Sequence, residues 1–383
     1  MIIQGGTIHI GDGTVIEDGY IRLVGGKIVE VAPGDYQGED SQLLDARGKI
    51  VTPGFIDAHC HVGMWEEGLD FEGDDGNEVT DPCTPQLRAL DAINPLDRAF
   101  EEALDYGITT VITGPGSANP VAGQICAMKT YGRVVYRMTI QAPVGMKFAL
   151  GENPKQVYSE KSQAPVTRMA IASIIRGELQ KAQRYLEDQR KAQEDEDTDP
   201  PELDVKLEAL TPVLERKIKA HFHTHRADDI CTALRIIREF GLDGVIVHGT
   251  EGHLVPDTIA EAGVPVICGP VISTRSKPEL KNLERKNAAA LVAAGVTTAI
   301  CTDAPVIPID MLAASVAVAV NAGLPAEKAI PTITGSAAAV CGLGDRVGRI
   351  APGLDGDILV FDRDPVGLLV RPEHILVDGK QLR

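Results

Sequence analysis

Six of the nine histidines in this 383-residue chain sit at or beside the ends of aliphatic runs. Asp57-Ala58-His59-Cys60-His61 closes one run, and residues two apart in an extended chain share a face, so His59 and His61 point together while Cys60 faces away into packing. His221-Phe222-His223-Thr224-His225 repeats the alternation. Val245-Ile246-Val247-His248 ends a third run in histidine, and Ile300-Cys301-Thr302-Asp303 ends a fourth in aspartate. Neutral imidazole and carboxylate oxygen suit Zn²⁺ or another divalent cation, which can lower the pKa of a water to about 7. A carboxylate beside that water can take its proton and hand it to a leaving nitrogen, the role open to Asp303. Core histidines satisfied by hydrogen bonds would explain one such position, but not four strand ends sharing so few histidines.

The elements that must place these side chains are repeated strand-and-helix units. Eight aliphatic runs are read as strands: Ile50 to His61, Thr109 to Thr113, Val134 to Ile140, Gly145 to Gly151, Ile218 to His225, Gly244 to His248, Val264 to Gly269 and Thr297 to Asp303. Helical patterns fall between most of them, including Pro95 to Tyr106, Asp228 to Phe240 and Lys281 to Ala294. This is the pattern of an α/β protein built as a (β/α)8 TIM barrel, in which strand ends open at the active-site mouth. A doubly wound open sheet is the main alternative, but it leaves both β-rich termini unexplained. Residues 1–50 read as short strands, with Asp18-Gly19 and Gly25-Gly26 as turn signals, and Asp357 to Phe361 and Ile375 to Gly379 restore that texture at the other end. The expected division is a small β-sandwich formed by both termini (1–50 and 348–383) beside a barrel at 51–347.

The run Val51-Thr52-Pro53-Gly54-Phe55-Ile56-Asp57-Ala58-His59-Cys60-His61 resembles the PGxIDxHxH signature of the amidohydrolase superfamily. Met1 to Gly48 resembles its N-terminal half-sandwich, and Gly348 to Ile358 resembles its return segment. His223-Thr224-His225-Arg226-Ala227-Asp228-Asp229-Ile230 and His248-Gly249-Thr250-Glu251-Gly252 are similar to the imidazolonepropionase-like and prolidase-like branch. The resemblance implies a metallo-dependent hydrolase with one or two divalent metals per chain. His59 and His61 would bind one metal, with His223, His248 and Asp303 as further ligands and Asp303 as the catalytic base. His221 and His225 face the same way as His223 at other depths, and His225 lies nearer substrate, with a catalytic contact. For the fourth strand, where many relatives use a carboxylated lysine, the candidates are Glu152, which is preferred because a buried lysine is costly, and Lys147. Ala304 stands where many relatives carry histidine after the aspartate, which puts a substrate contact there in doubt.

Arg226, His253, Arg275 and Lys277 follow the later strands and are candidates for binding substrate, an arginine being suited to gripping a carboxylate. Trp65 to Thr84, rich in Gly, Asp and Glu, reads as a loop able to act as a lid. Glu187 to Asp204 reads as a solvated acidic loop.

A formal net charge of −18 disfavours nucleic acid and anionic lipid as partners, leaving a small-molecule substrate. Seven scattered cysteines without paired spacing, no apolar run near the ~20 residues of a membrane helix and no leader-like start predict a cytoplasmic protein with reduced thiols. A homo-oligomer is the expected assembly. Three functions follow from the pattern: hydrolysis of an amide, peptide or cyclic amide; hydrolytic deamination of a heterocycle, with Glu251 and His253 as a proton-shuttling pair; or an inactive scaffold, which the retained ligands oppose.

Overall fold

The computed structural model describes residues 1–39 and 42–383. Two eight-stranded sheets make up the fold. One contains the barrel strands β1 (Phe55–Cys60), β2 (Ile108–Thr113), β3 (Val121–Lys129), β4 (Thr139–Ala149), β5 (Lys219–Thr224), β6 (Gly244–His248), β7 (Val266–Cys268) and β8 (Thr298–Ile300), adjacent in that order. The ring is completed just past β8, where Asp303 N donates to His59 O (3.1 Å) and His61 N to Ala304 O (2.8 Å). These two bonds fasten the candidate site across the seam.

The barrel departs from the expected pattern on one side. β3 is antiparallel to both β2 and β4, while the other neighbouring pairs are parallel. The segment 114–120 between β2 and β3 is too short for a crossover helix, so the chain can only double back. The expected strand Val134 to Ile140 is replaced by a short helix at Val135–Met138 followed by β4, which takes in the expected strand from Gly145 as well.

Apolar side chains inside the barrel come from Ile56, Ala58, Ile112, Val245, Val247, Ile267 and Ala299, and the helix Gly335–Val340 packs against them through Ala337 and Ala338. The opposite strand faces, including Phe148 stacked on Phe222 at 4.9 Å, pack beneath the surrounding helices. Among these is Ala227–Phe240, close to the expected Asp228 to Phe240. The expected Pro95 to Tyr106 forms Arg98–Asp105, capped by the Asp97 carboxylate accepting from Ala99 N. Lys281 to Ala294 is helical only over Asn287–Ala293.

A 27-residue helix, Arg168–Glu194, was not foreseen. Thr167 caps it by accepting from Ala170 N. The acidic stretch from Glu187 to Glu194 therefore continues a helix, braced by pairs such as Lys191–Asp188, and only the residues after it are irregular.

The second sheet is made by both ends of the chain. Ile358–Phe361 pairs antiparallel with Ile50–Pro53, which runs parallel to Ile2–His9. Val15–Val24 and Lys27–Pro33 form a hairpin turning at Gly25-Gly26, while Asp18-Gly19 lies within the first of these strands, not at a turn. The expected strand Ile50 to His61 thus divides at Gly54 between the two sheets. A Cβ at Gly54 would lie 2.1 Å from Thr109 Oγ1, so only glycine lets the chain cross there. Buried Lys129, at the end of β3, ties the sheets together through Asp357 (2.6 Å), Asp355 and Asp378 (both 3.1 Å). Among the described residues, no helix is long and apolar enough to cross a membrane. All seven cysteines are unpaired.

Candidate metal centre

His59 owes its position to an irregularity in β1. Ile56 and Ala58 already point into the barrel, so strict alternation would turn His59 outward. The register shifts between Asp57 and Cys60, a bulge-like change of phase, and His59 lies against Lys147 and Asp303 instead. Asp303 Oδ1 is 3.4 Å from His59 Nε2 and 3.3 Å from His61 Nε2. Asp303 (φ 59°) and His248 (φ 70°) both adopt left-handed backbone conformations where their strands end, uncommon outside glycine.

Two groups of donors converge at this mouth. His59, His61 and Asp303 form one, and His223, His225 and His248 the other, with the ligand atoms of each group within 4.8 Å of one another. The His59 and His248 rings are 5.3 Å apart and His223 and His248 4.6 Å, so the groups adjoin. His61 Nδ1 donates to Gly114 O (2.7 Å) and His248 Nδ1 to Gly269 O (2.8 Å), which commits each Nδ1 and leaves Nε2 as a lone-pair donor. His225 Nδ1 meets Thr250 Oγ1 at 2.7 Å, and its ring stacks parallel to His248.

Burial keeps four of these imidazoles, His59, His223, His225 and His248, neutral, as ligation requires. It lowers His248 to about 4 and holds His59, His223 and His225 well below the usual histidine value, aided in each case by nearby positive charge. Burial alone would raise Asp303, but the surrounding His248, His59 and His61 hold it well below the ordinary carboxylate value. Asp57 is pushed up to about 7 by burial, against hydrogen bonds from Thr302 and the His59 backbone. It accepts from Thr302 Oγ1 and so ties β1 to the segment carrying Asp303.

A cation fits this donor set. His59 Nδ1 and both ring nitrogens of His223 are buried with no hydrogen-bond partner among the described residues, a costly state that ligation through the lone-pair nitrogen of a ring partly relieves. His221 is similarly unpartnered but lies deeper, beside Gly145, and belongs to neither group.

Of the two fourth-strand candidates, Lys147 is the one beside this centre. It is buried, its Nζ lies 3.1 Å from His59 Nε2, and burial brings its pKa down to about 8 despite the nearby Asp303. Glu152 stands outside both groups. Gly151 (φ 93°) turns the chain after β4, and Glu152 begins the helix Glu152–Glu160. There Glu152 and Glu279 exchange hydrogen bonds, Glu152 N to Glu279 Oε2 (3.0 Å) and Glu279 N to Glu152 Oε2 (3.1 Å).

A cavity of about 440 Å³ opens over the centre, lined by His61, His223, His225, His248 and Asp303 at its base. Three of the expected substrate residues are elsewhere. Arg226 is paired with Asp228, Arg275 donates to Lys281 O and Leu283 O, and His253 donates its backbone N–H to Asn287 Oδ1; none lines the cavity. Lys277 does line it. Trp65 and Asn77, from the expected lid, form part of the wall, and the Trp65 ring meets the His61 ring edge-on at 4.3 Å. Thr250 stands in the run after His248, but its hydrogen bond to His225 and the nearby Glu279, 3.5 Å from His225 Nε2, follow only from the tertiary fold that brings their loops to β5.

The model of the amidohydrolase family matches residues 50–382. Amidohydrolase tasK of Hapsidospora irregularis is 29% identical over 394 residues, covering 97% of this chain, which spans 39% of that protein's length. Imidazolonepropionase of Stenotrophomonas maltophilia is 25% identical over 401 residues, 94% of this chain and 90% of the relative. The crystal structure of an amidohydrolase from Thermotoga maritima superposes with a TM-score of 0.95 at 38% identity, over 100% of this chain and 99% of that one. A prolidase complexed with N-methylphosphonate-L-proline shares the fold at a TM-score of 0.59 and 18% identity. The match, from the terminal-sheet strand at Ile50 through the whole barrel to the last residues of that sheet, places this chain in the amidohydrolase family.

Proposed function

We propose that this chain hydrolyses a carbon–nitrogen bond in a small amide, peptide or cyclic amide at a divalent metal centre, with zinc as the cation. The observation that carries the reading is the convergence of His59, His61 and Asp303 with His223 and His248, with Lys147 against His59 and a cavity reaching His61, His223, His248 and Asp303. Those residues would hold one or two cations, with Lys147 joining them as a carbamate. Its pKa near 8 leaves a usable fraction of neutral amine to take up carbon dioxide, and the resulting anion would remove the cost of a buried ammonium. When bound, a divalent cation supplies Lewis-acid chemistry, acidifying water and polarising a carbonyl.

The protein's own groups do the rest. Asp303 is kept ionised, so it can accept a proton from the attacking water and return it to the departing nitrogen. Thr250 holds His225 through Nδ1, as a ring facing the substrate from the cavity wall. Trp65 covers one side of the centre and limits entry of bulk water.

Deamination has less support. Glu251, the shuttle candidate, accepts from Ala227 N and Asn282 Nδ2, and neither it nor His253 lines the cavity. The test is elemental analysis of purified protein with a turnover screen of dipeptides, N-acyl amino acids, lactams and aminated heterocycles. Stoichiometric metal with amide cleavage is expected. Metal-free protein, or turnover confined to aminated heterocycles, would refute the reading.

A further inference from the structure

We propose that Lys277 anchors a carboxylate of the substrate, so that the site selects small amides carrying a free acid group near the bond to be cut. This rests on reading the cavity as the hydrolytic site. Among the described residues that line the cavity, Lys277 is the only lysine or arginine. Its Nζ lies 2.7 Å from Glu279 Oε1 and 3.1 Å from Asn153 Oδ1. The first contact is an ion pair and the second a hydrogen bond, and an ammonium has three N–H donors, so at least one remains for a guest.

The cation is also held in place from behind. The exchange between Glu152 and Glu279 locks the start of helix Glu152–Glu160 to the loop bearing Lys277, and Asn153 Nδ2 donates to Ser117 Oγ (2.7 Å). A charge placed this way loses little freedom on binding a partner. The same wall offers neutral groups, Ser117, Gln156 and Ser276, that can donate to a second carboxylate oxygen, and one acidic residue, Glu160. Leu280, Leu283 and Val306 supply apolar surface for the rest of the guest. Charge-assisted hydrogen bonds are about twice as strong as neutral ones, so an acid should be clearly distinguished from an isosteric neutral molecule.

Calorimetric binding of N-methanesulfonyl-leucine and N-methanesulfonyl-leucinol to the purified protein tests this. Both resist hydrolysis and differ in the acid group. The acid should bind at least about tenfold tighter, Lys277→Met should erase that gap, and Lys277→Arg should keep most of it. Because Lys277→Met strands buried Glu279, the double variant Lys277→Met/Glu279→Gln is measured too, with thermal melts to establish folding. Absence of acid binding, equal binding of acid and alcohol, or a gap that survives in both Lys277→Met backgrounds would overturn the proposal. Failure of the hydrolytic reading shows separately, as missing metal or missing turnover, because this binding comparison involves no turnover.

Discussion

Replacing Asp303 by asparagine tests the proposed proton path with little disturbance to the fold. The residue sits at φ 59°, where asparagine is among the better tolerated residues, so the backbone can keep its course. The bond from residue 303 N to His59 O uses only the main chain and also survives. An amide oxygen can still face His59 and His61, whose Nε2 atoms lie 3.4 and 3.3 Å from the present carboxylate. What disappears is the basic oxygen. General acid–base assistance is typically worth about 10² to 10⁴ in rate, so kcat should fall at least about 10²-fold, equivalent to about 2.7 kcal/mol in the barrier. Steady-state kinetics on whichever amide the screen identifies, with a thermal melt and metal analysis of the same sample, separates lost chemistry from lost structure. Asp303→Ala should also lower stability, since alanine suits the left-handed region poorly. A folded, metal-loaded Asp303→Asn variant with near-normal kcat would refute the assignment of the proton path.

Other outcomes follow from the same geometry. Lys147→Met should lose bound metal, and intact-mass spectrometry of native protein should find one added CO2 that bicarbonate restores after acid stripping; an unchanged metal content in the variant would exclude Lys147. Glu152→Gln should keep full metal content, because Glu152 is engaged with Glu279 and not with the histidines. Gly54→Ala should cost about 1–3 kcal/mol of stability in denaturant unfolding, since its Cβ would collide with Thr109. Lys129→Met leaves Asp357 and Asp355 without their buried cation and should cost about 3–5 kcal/mol. Lys129 is held above its ordinary 10.5, so its contribution is complete below that pH and fades as pH rises through the higher folded value, a loss that alkaline melts of the wild type should show and the variant should lack.

Much of the metal centre was legible in the sequence because side chains at strand ends obey a two-residue period. His223 and Asp303 are where their runs place them, and the HxH pair converges as expected, although the bulge in β1 rather than simple alternation brings His59 inward. Other features depended on local geometry that composition does not reveal. Glu152 looks like a residue just past a strand end, yet Gly151 turns the chain and starts a helix before Glu152 can reach the centre. β3 was hidden because a reversed strand needs no helix before it, which breaks the repeated pattern the other strands follow. Arg226 and Arg275 were plausible as arginines on loops near the mouth, but Asp228 and the carbonyls of Lys281 and Leu283 engage them away from the cavity. Only tertiary structure singles out Lys277 among the four substrate candidates.

On the proposed function, His59, His61, His223, His248, Lys147 and Asp303 hold a catalytic divalent cation. Diffraction data collected on both sides of the zinc absorption edge, from protein purified without chelator, test it most directly. Anomalous density enclosed by His59, His61, His223, His248 and Asp303 is expected, with the Lys147 side chain extended by a carbamate towards it. An absence of anomalous density at the cavity floor in crystals of active protein, or a metal bound only elsewhere, would contradict it.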